Sequence, residues 1–155
     1  MKKWSIVLVA GCCLLLAACG NQWPQPSLER DLDAAAQKVI KSEEGIGQGS
    51  SLLRMSQIAN FDWDYVYVFG PDTSGEEIKA RMGIDWDQAE DLKEREENLL
   101  VFVKNNKVVR FVSHPLAKGE FADLQHPRTP GTAVFIAERE ADGNQLIQPV
   151  NSGGN

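Results

Sequence analysis

Aromatic residues occupy every second position of one short stretch, and this alternation constrains the fold more than any other feature. In NFDWDYVYVFGP, residues 60–71, the alternating aromatic residues are Phe61, Trp63, Tyr65, Tyr67 and Phe69. Alternate side chains of a β-strand point to the same face of a sheet, so the pattern predicts a strand with one aromatic face. Each aromatic side chain can bury roughly 150–250 Å². Exposing all five would leave a larger apolar patch than a soluble monomer tolerates, so we predict that this face is a wall of the core.

The acidic end of the same stretch is a candidate binding edge. On the opposite face of the predicted strand, the acidic residues Asp62 and Asp64 precede the apolar residues Val66 and Val68. The later part is therefore expected to be buried on both sides, and any exposed part should lie at the Phe61–Trp63 end. The alternative is a stacking platform for sugar rings or an aromatic ligand. The predicted edge consists of Phe61, Asp62, Trp63 and Asp64.

The first 18 residues have the pattern of an export signal. Two lysines, at positions 2 and 3, precede an apolar run at residues 6–18. The run is too short to cross a bilayer comfortably, since that takes about 20 apolar residues. A short positive segment, a short apolar run and small residues are typical of a secretory signal peptide that is removed.

The end of this signal, Leu16-Ala17-Ala18-Cys19, resembles the lipobox of bacterial lipoproteins. The resemblance implies cleavage between Ala18 and Cys19, with a diacylglycerol on the thiol of Cys19 and an acyl chain such as palmitate on its new amino group. Several acyl chains attach a protein stably to a membrane. Gly20 follows the cysteine, and the resemblance then implies a cell-envelope lipoprotein on the outer membrane, facing the periplasm, in a cell that has two membranes. Apart from these lipids, no cofactor is expected.

Cysteine content and charge exclude several classes of function. The three cysteines are Cys12, Cys13 and Cys19. The exported part therefore has no disulfide, no cysteine metal site and no cysteine nucleophile. Without the two N-terminal lysines the chain has 14 basic and 22 acidic residues, a formal charge of −8. This balance argues against nucleic acid and anionic lipid as partners, and it would suit a basic protein.

The remaining sequence predicts one α+β domain at residues 28–150, preceded by a proline-bearing tether at residues 19–27 and followed by a flexible tail at residues 151–155. Helices are expected from Ser27 to about Lys41 and again within DTSGEEIKARMGI, where Ser or Thr precedes Glu at capping-box spacing. Two apolar runs around Asn105-Asn106 predict a hairpin, and TAVFIAERE predicts a further strand. We expect a small, mainly antiparallel sheet of about four to five strands with two helices packed on one face.

The tripeptide Asp-Trp-Asp occurs twice, at residues 62–64 and 85–87. Two carboxylates at this spacing can face one Ca²⁺ or Mg²⁺ ion. However, neither copy lies in a loop with further oxygen ligands and a central glycine. We predict that each tryptophan packs inward while the flanking acids remain in water, and that no metal is bound.

The two histidines, His114 and His126, each precede a proline. Two imidazoles with a carboxylate can hold zinc, and one imidazole can act as a general base. The residue before a proline is pushed out of the helical region, so His-Pro is also typical of a strand end, which is the interpretation we adopt. No catalytic residue is predicted.

The part of the chain beyond the anchor resembles a loosely defined set of small uncharacterised bacterial lipoproteins. The shared features are Phe61-Asp62-Trp63-Asp64, an aromatic strand at residues 65–71, a short helix at residues 76–83 and an apolar hairpin at residues 99–112. The resemblance implies no known activity. The leading hypothesis is a non-enzymatic, lipid-anchored envelope protein that binds or supports another envelope protein. The alternatives are an inhibitor or immunity-type protein that neutralises a basic envelope enzyme, and an envelope hydrolase that uses His114 or His126 with a carboxylate.

Overall fold

The computed structural model describes residues 25–44 and 51–150, which form an α+β fold, and the predicted class is confirmed. The elements run in the order α1 Pro26–Glu44, β1 Leu53–Arg54, α2 Met55–Ile58, β2 Tyr65–Phe69, α3 Gly75–Met82, β3 Glu97–Lys104, β4 Lys107–Pro115, a 3-10 helix Leu116–Lys118, β5 Glu120–Phe121, β6 Val134–Arg139 and β7 Gln145–Pro149. The predicted signal peptide, Cys19, most of the tether, and the tail at residues 151–155 lie outside the described residues.

The strands divide between two sheets, which corrects the expectation of one small sheet. The first sheet has the order β2-β3-β4 and is antiparallel throughout. The second has the order β1-β6-β7-β5, with a parallel pairing between β5 and β7. Residues 98–103 of β3 are all buried, so both faces of the first sheet need cover. The second sheet and α1 cover one face, and α3 with the loop that follows it covers the other.

Two hydrophobic cores therefore lie on opposite faces of the three-stranded sheet. The first core joins α1 and the second sheet to the side chains of Val66, Val68, Leu100, Phe102 and Val112. The second core joins α3 and the loop after it to the side chains of Phe69, Leu99, Val101, Val103 and Val108. The two helices thus cover opposite faces of the first sheet, and the expectation of both helices on one face is corrected. The physical reason is the unbroken apolar run of β3, which exposes neither face.

The predicted single row of five aromatic residues is also corrected. Strand β2 begins only at Tyr65, and the residues before it are irregular. Trp63 packs edge-to-face on Phe102 in the first core, with ring centroids 5.4 Å apart, whereas Phe69 lies in the second core. The stretch contributes to two core walls instead of one, because alternation holds only within the strand. Trp63 is 7% exposed and Tyr65 is 45% exposed, so the prediction that exposure falls at the Phe61–Trp63 end was wrong.

Local signals in the sequence correctly placed α3 and the hairpin. Ser74 caps α3, since its Oγ accepts a hydrogen bond from the backbone N–H of Glu77 at 3.2 Å, and Gly83 ends the helix with φ of 65°. Asn105 and Asn106 form the two-residue turn between β3 and β4, with φ of 49° and 58°. Both values lie in the left-handed region that such turns require, and which asparagine tolerates.

Candidate functional site

Within the predicted binding edge at residues 61–64, Asp62 and Asp64 support the turn between β3 and β4. Lys104 Nζ lies 2.8 Å from Asp62 Oδ2, and the backbone N–H of Asn105 donates to Asp64 Oδ2 at 2.8 Å. The hydrogen bond from Lys104 and its positive charge lower the pKa of the Asp62 carboxyl. Both carboxylates therefore have partners within the fold, and their spacing is explained by the turn that they hold.

The second Asp-Trp-Asp has the arrangement that the sequence predicts. Trp86 is 4% exposed and packs edge-to-face on Phe111, with ring centroids 5.1 Å apart. Asp85 and Asp87 are exposed, and Asp85 Oδ1 lies 3.1 Å from Lys79 Nζ. Within residues 25–44 and 51–150, no group of three or more His, Cys, Asp or Glu side chains is placed to hold a metal ion.

The two histidines occupy different environments. His114 lies in β4, one residue before the strand ends, and is fully buried, while His126 is exposed in a loop. His114 Nδ1 is 2.9 Å from Asp33 Oδ1 on α1, and the other carboxylate oxygen of Asp33 accepts a hydrogen bond from Lys118 Nζ. Burial lowers the pKa of His114, and the nearby Asp33 only partly opposes this shift. The group thus fastens α1 to β4, and its imidazole has no contact with solvent.

A cavity of about 400 Å³ opens beside the second core, between the loop after α3 and the face of the first sheet. Its volume is in the range of ligand-binding pockets, about 300–1,000 Å³. Its apolar lining residues are Trp86, Leu92, Leu99 and Phe111, and its polar lining residues are Gln88, Glu90, Arg95 and Ser113. We call this cavity the loop pocket.

The loop that closes the pocket is fastened to the start of α3. Asp91 Oδ1 accepts a hydrogen bond from the backbone N–H of Gly75 at 2.7 Å, and the N–H of Leu92 donates to the carbonyl of Thr73 at 2.9 Å. Gly75 is required for this close approach, because a Cβ there would come within 2.6 Å of the carbonyl oxygen of Ala89. The pocket is therefore preformed by hydrogen bonds between its loop and the start of α3.

Charged residues form the rim of the loop pocket. Arg95 is paired with Glu90 and lies 3.6 Å from Glu97 Oε1, and these carboxylates raise its pKa. Ser113 Oγ donates to the same Glu97 oxygen at 3.1 Å. Residues 85–97 contain seven acidic and two basic residues, so the loop is negative as a whole, although the charged side chains that line the pocket are one acidic, Glu90, and one basic, Arg95. The arrangement can enclose an apolar group and present carboxylates to a positive group beside it.

Reasoning from the sequence did not find the loop pocket. The stretch DQAEDLKEREEN has little apolar character, and by itself it is typical of a solvated loop or a marginal helix. The available signal was the pair Trp86 and Leu92. Two large apolar residues in and beside a charged segment indicate that the segment packs against a hydrophobic core. The contribution of Ser113 and Phe111 depends on the pairing of β4 with β3, which local sequence does not reveal.

None of the helices within residues 25–44 and 51–150 combines the length and the apolar character that a membrane span requires. No protein-family model matches the chain, and comparison with curated proteins and with solved structures finds no match either.

Proposed function

We propose that the protein is a non-enzymatic, lipid-anchored envelope protein that binds a protein partner at the loop pocket. The observation that carries the proposal is the pocket itself, with an apolar floor centred on Trp86 and Phe111 and with the acidic loop at residues 85–97 on one side. A few convergent polar groups around an apolar cavity are typical of a recognition site.

The anchor and the pocket have complementary roles in this proposal. The lipobox-like sequence at residues 16–19 predicts that Cys19 carries the lipid and holds the domain at the membrane surface. The pocket then selects the partner within the envelope. Since no nucleic-acid surface is expected from a formal charge of −6 for the whole chain, a protein partner fits better than a nucleic acid.

A second candidate is an inhibitor or immunity-type protein that neutralises a basic envelope enzyme. The observation in its favour is the concentration of seven acidic residues within residues 85–97, the loop that lines the pocket with Glu90. Such a complex would be strongly weakened by salt, since screening reduces the attraction between opposite charges. The hydrolase alternative has less support, because the buried His114 is engaged with Asp33 and has no contact with solvent.

The experiment is affinity capture of the tagged full-length protein from mildly crosslinked envelopes, with variants that fill or spare the pocket. Gln88 is exposed and lines the pocket, so Gln88→Trp should block it without disturbing the core. Gln57→Trp places the same side chain on an exposed position of α2 and serves as the matched control. Cys19→Ser tests the contribution of the anchor.

We expect a partner that is captured by the wild type and by Gln57→Trp but lost with Gln88→Trp. Capture that Cys19→Ser also abolishes would support the anchored envelope role. A basic enzyme captured by anchored and unanchored forms alike, and released by salt, would favour the inhibitor function. Capture unaffected by Gln88→Trp would contradict the pocket as the binding site.

A further inference from the structure

We infer that the partner is recognised as an extended segment that adds to the first sheet as a strand along β4 and places an apolar side chain, next to a basic one, in the loop pocket. This inference rests on the proposed function and specifies the chemistry of the partner. It combines an open strand edge, the position of the pocket beside that edge, and the charge of the loop at residues 85–97.

Strand β4 has nine residues and lies at an edge of the first sheet, where β3 is its only partner strand within residues 25–44 and 51–150. The backbone N–H of Leu116 donates to the carbonyl of Glu96 at 2.9 Å. This bond shows which residues of β4 direct their backbone groups toward β3. Bonded and non-bonded pairs alternate in an antiparallel ladder, so His114 and Val112 direct their backbone groups toward β3. Phe111 and Ser113 then direct theirs away from β3, to the outer edge.

These outward backbone groups have no hydrogen-bond partner among residues 25–44 and 51–150. On the other edge of the sheet the situation differs, because Val66 exchanges backbone hydrogen bonds of 2.8 and 2.9 Å with Arg128. Pro115 also falls at an outward position of β4, where a residue without an N–H costs the ladder nothing. An unpaired edge of this kind is a template for a further strand.

The open edge and the loop pocket meet at Phe111 and Ser113. Both residues line the pocket with their side chains while their backbone groups point to the edge. A strand added to β4 would therefore carry every second side chain over the pocket face. One such side chain, level with Phe111, would reach the apolar floor beside Trp86.

Charge and packing together identify the occupant. The loop at residues 85–97 carries seven acidic and two basic residues, and this excess of negative charge beside the pocket favours a basic residue adjacent to the inserted apolar one. A second copy of this chain fits less well, because two chains that each have a formal charge of −6 repel one another. The occupant is therefore a segment of a different protein in which apolar and basic residues lie close together.

The test uses a library of random linear peptides displayed on phage and selected on the tagged full-length protein. Ser113→Pro removes only an outward N–H, so the β3–β4 ladder should survive the change. Ser113→Ala is its matched control, because it keeps the N–H and removes the hydroxyl that donates to Glu97. Selected peptides are then synthesised with and without N-methyl groups on alternate backbone amides.

We expect basic–apolar peptides that bind the wild type and that bind Ser113→Pro about tenfold or more weakly than Ser113→Ala, since one hydrogen bond is lost and the new ring obstructs the approach. N-methylation should abolish binding on one set of alternate amides and spare the other. This peptide result remains decisive even if Ser113→Pro fails to fold.

Three other results would overturn the inference. Peptides that Gln88→Trp excludes but Ser113→Pro and N-methylation leave unaffected would remove strand addition while the pocket remained the site. Peptides insensitive to every one of these changes, or no selected peptide at all, would contradict recognition of a linear segment here. Self-association in sedimentation that Ser113→Pro abolishes would assign the edge to a second copy of the chain.

Discussion

At the scale of single residues, Asn98 connects the two sheets. It is fully buried in β3, and its side-chain amide both donates to and accepts from the backbone of Phe121 in β5. Asn98 Oδ1 accepts from the N–H of Phe121 at 2.8 Å, and Nδ2 donates to the carbonyl of Phe121 at 2.9 Å and to that of Phe69 at 3.2 Å. One side chain thus satisfies three buried backbone groups at the junction of two sheets.

We predict that Asn98→Ala lowers the free energy of unfolding by about 2–4 kcal/mol, because a buried polar group left unpaired costs about 1–3 kcal/mol. Urea denaturation followed by circular dichroism measures the change, with an unchanged dependence on urea concentration as the sign of intact two-state behaviour. Asn60→Ala is the matched control, since Asn60 is exposed, and it should alter stability by less than about 0.5 kcal/mol. Equal effects of the two substitutions would show that Asn98 does not join the sheets.

His114 should make stability depend on pH. Its pKa in the folded protein is lowered from the ordinary value of 6.5, chiefly by burial. Below that value the unfolded chain therefore binds more protons than the folded one, and stability falls as the pH decreases through it. Above pH 6.5 the buried neutral imidazole contributes its full stability. Below the lowered pKa of the folded protein, a further decrease in pH removes no more of that contribution.

The prediction is that His114→Gln reduces the loss of stability between neutral and mildly acidic pH, although the variant is less stable at neutral pH. The measurement is the urea midpoint across the pH series for each protein. His126→Gln changes an exposed histidine and should keep the pH dependence of the wild type. If His114→Gln and the wild type lost equal stability as the pH decreased, the buried imidazole would not be the source of the pH dependence.

At the scale of elements, the hairpin of β3 and β4 depends on a turn that two asparagines form. Asn105 and Asn106 have φ of 49° and 58°. Asp64 holds the turn by accepting the hydrogen bond from the N–H of Asn105. Asn-Gly is the favoured pair in such turns because glycine reaches positive φ without steric cost.

We therefore predict that Asn106→Gly raises the free energy of unfolding by about 0.5–1 kcal/mol. Asn60→Gly is the control, since Asn60 is not among the residues with positive φ, and there the greater freedom of the unfolded chain should lower stability. Thermal and urea denaturation of both variants test the difference. A loss of stability in Asn106→Gly would mean that the asparagine side chain contributes more than its backbone strain costs.

Elements with local signals were predictable, and their arrangement was not. Ser74 and Gly83 mark the ends of α3, and Asn105-Asn106 marks the hairpin turn, because capping and turn geometry depend on neighbouring residues. The division into two sheets depends on Leu53 pairing with Phe135, about eighty residues later in the chain, and no local pattern specifies such a contact. The same distance in sequence separates Asp33 from His114.

The candidate site was the least predictable part of the molecule. Its floor combines Trp86 from a charged loop with Phe111 from β4, and no local pattern indicates that these two residues meet. The conspicuous Asp62 and Asp64 proved to be partners of the hairpin turn. Charge and aromatic content in the sequence identified residues that stabilise a turn close to them in the fold. The pocket instead forms between a loop and a strand, neither of which has a sequence motif for binding.

At the scale of the whole molecule, β3 is shared by both cores. Its side chains alternate between them: Leu100 and Phe102 belong to the first core, and Leu99, Val101 and Val103 to the second. Neither core can lose its contacts with β3 while the other keeps an ordered strand. The two cores should therefore unfold together, as one cooperative unit.

Trp63 and Trp86 allow this last prediction to be measured, because each lies in a different core. With Trp4 and Trp23 replaced by Phe, Trp86→Phe leaves Trp63 as the reporter of the first core, and Trp63→Phe leaves Trp86 as the reporter of the second. In each variant the fluorescence transition in urea should coincide with the circular dichroism transition, whatever the stability of that variant. If Trp86 reported a transition at lower urea than circular dichroism does, α3 and the loop pocket would open separately from the rest of the fold. Helix α3 and the loop would then be a mobile cover on β3, and the pocket would not be a preformed site.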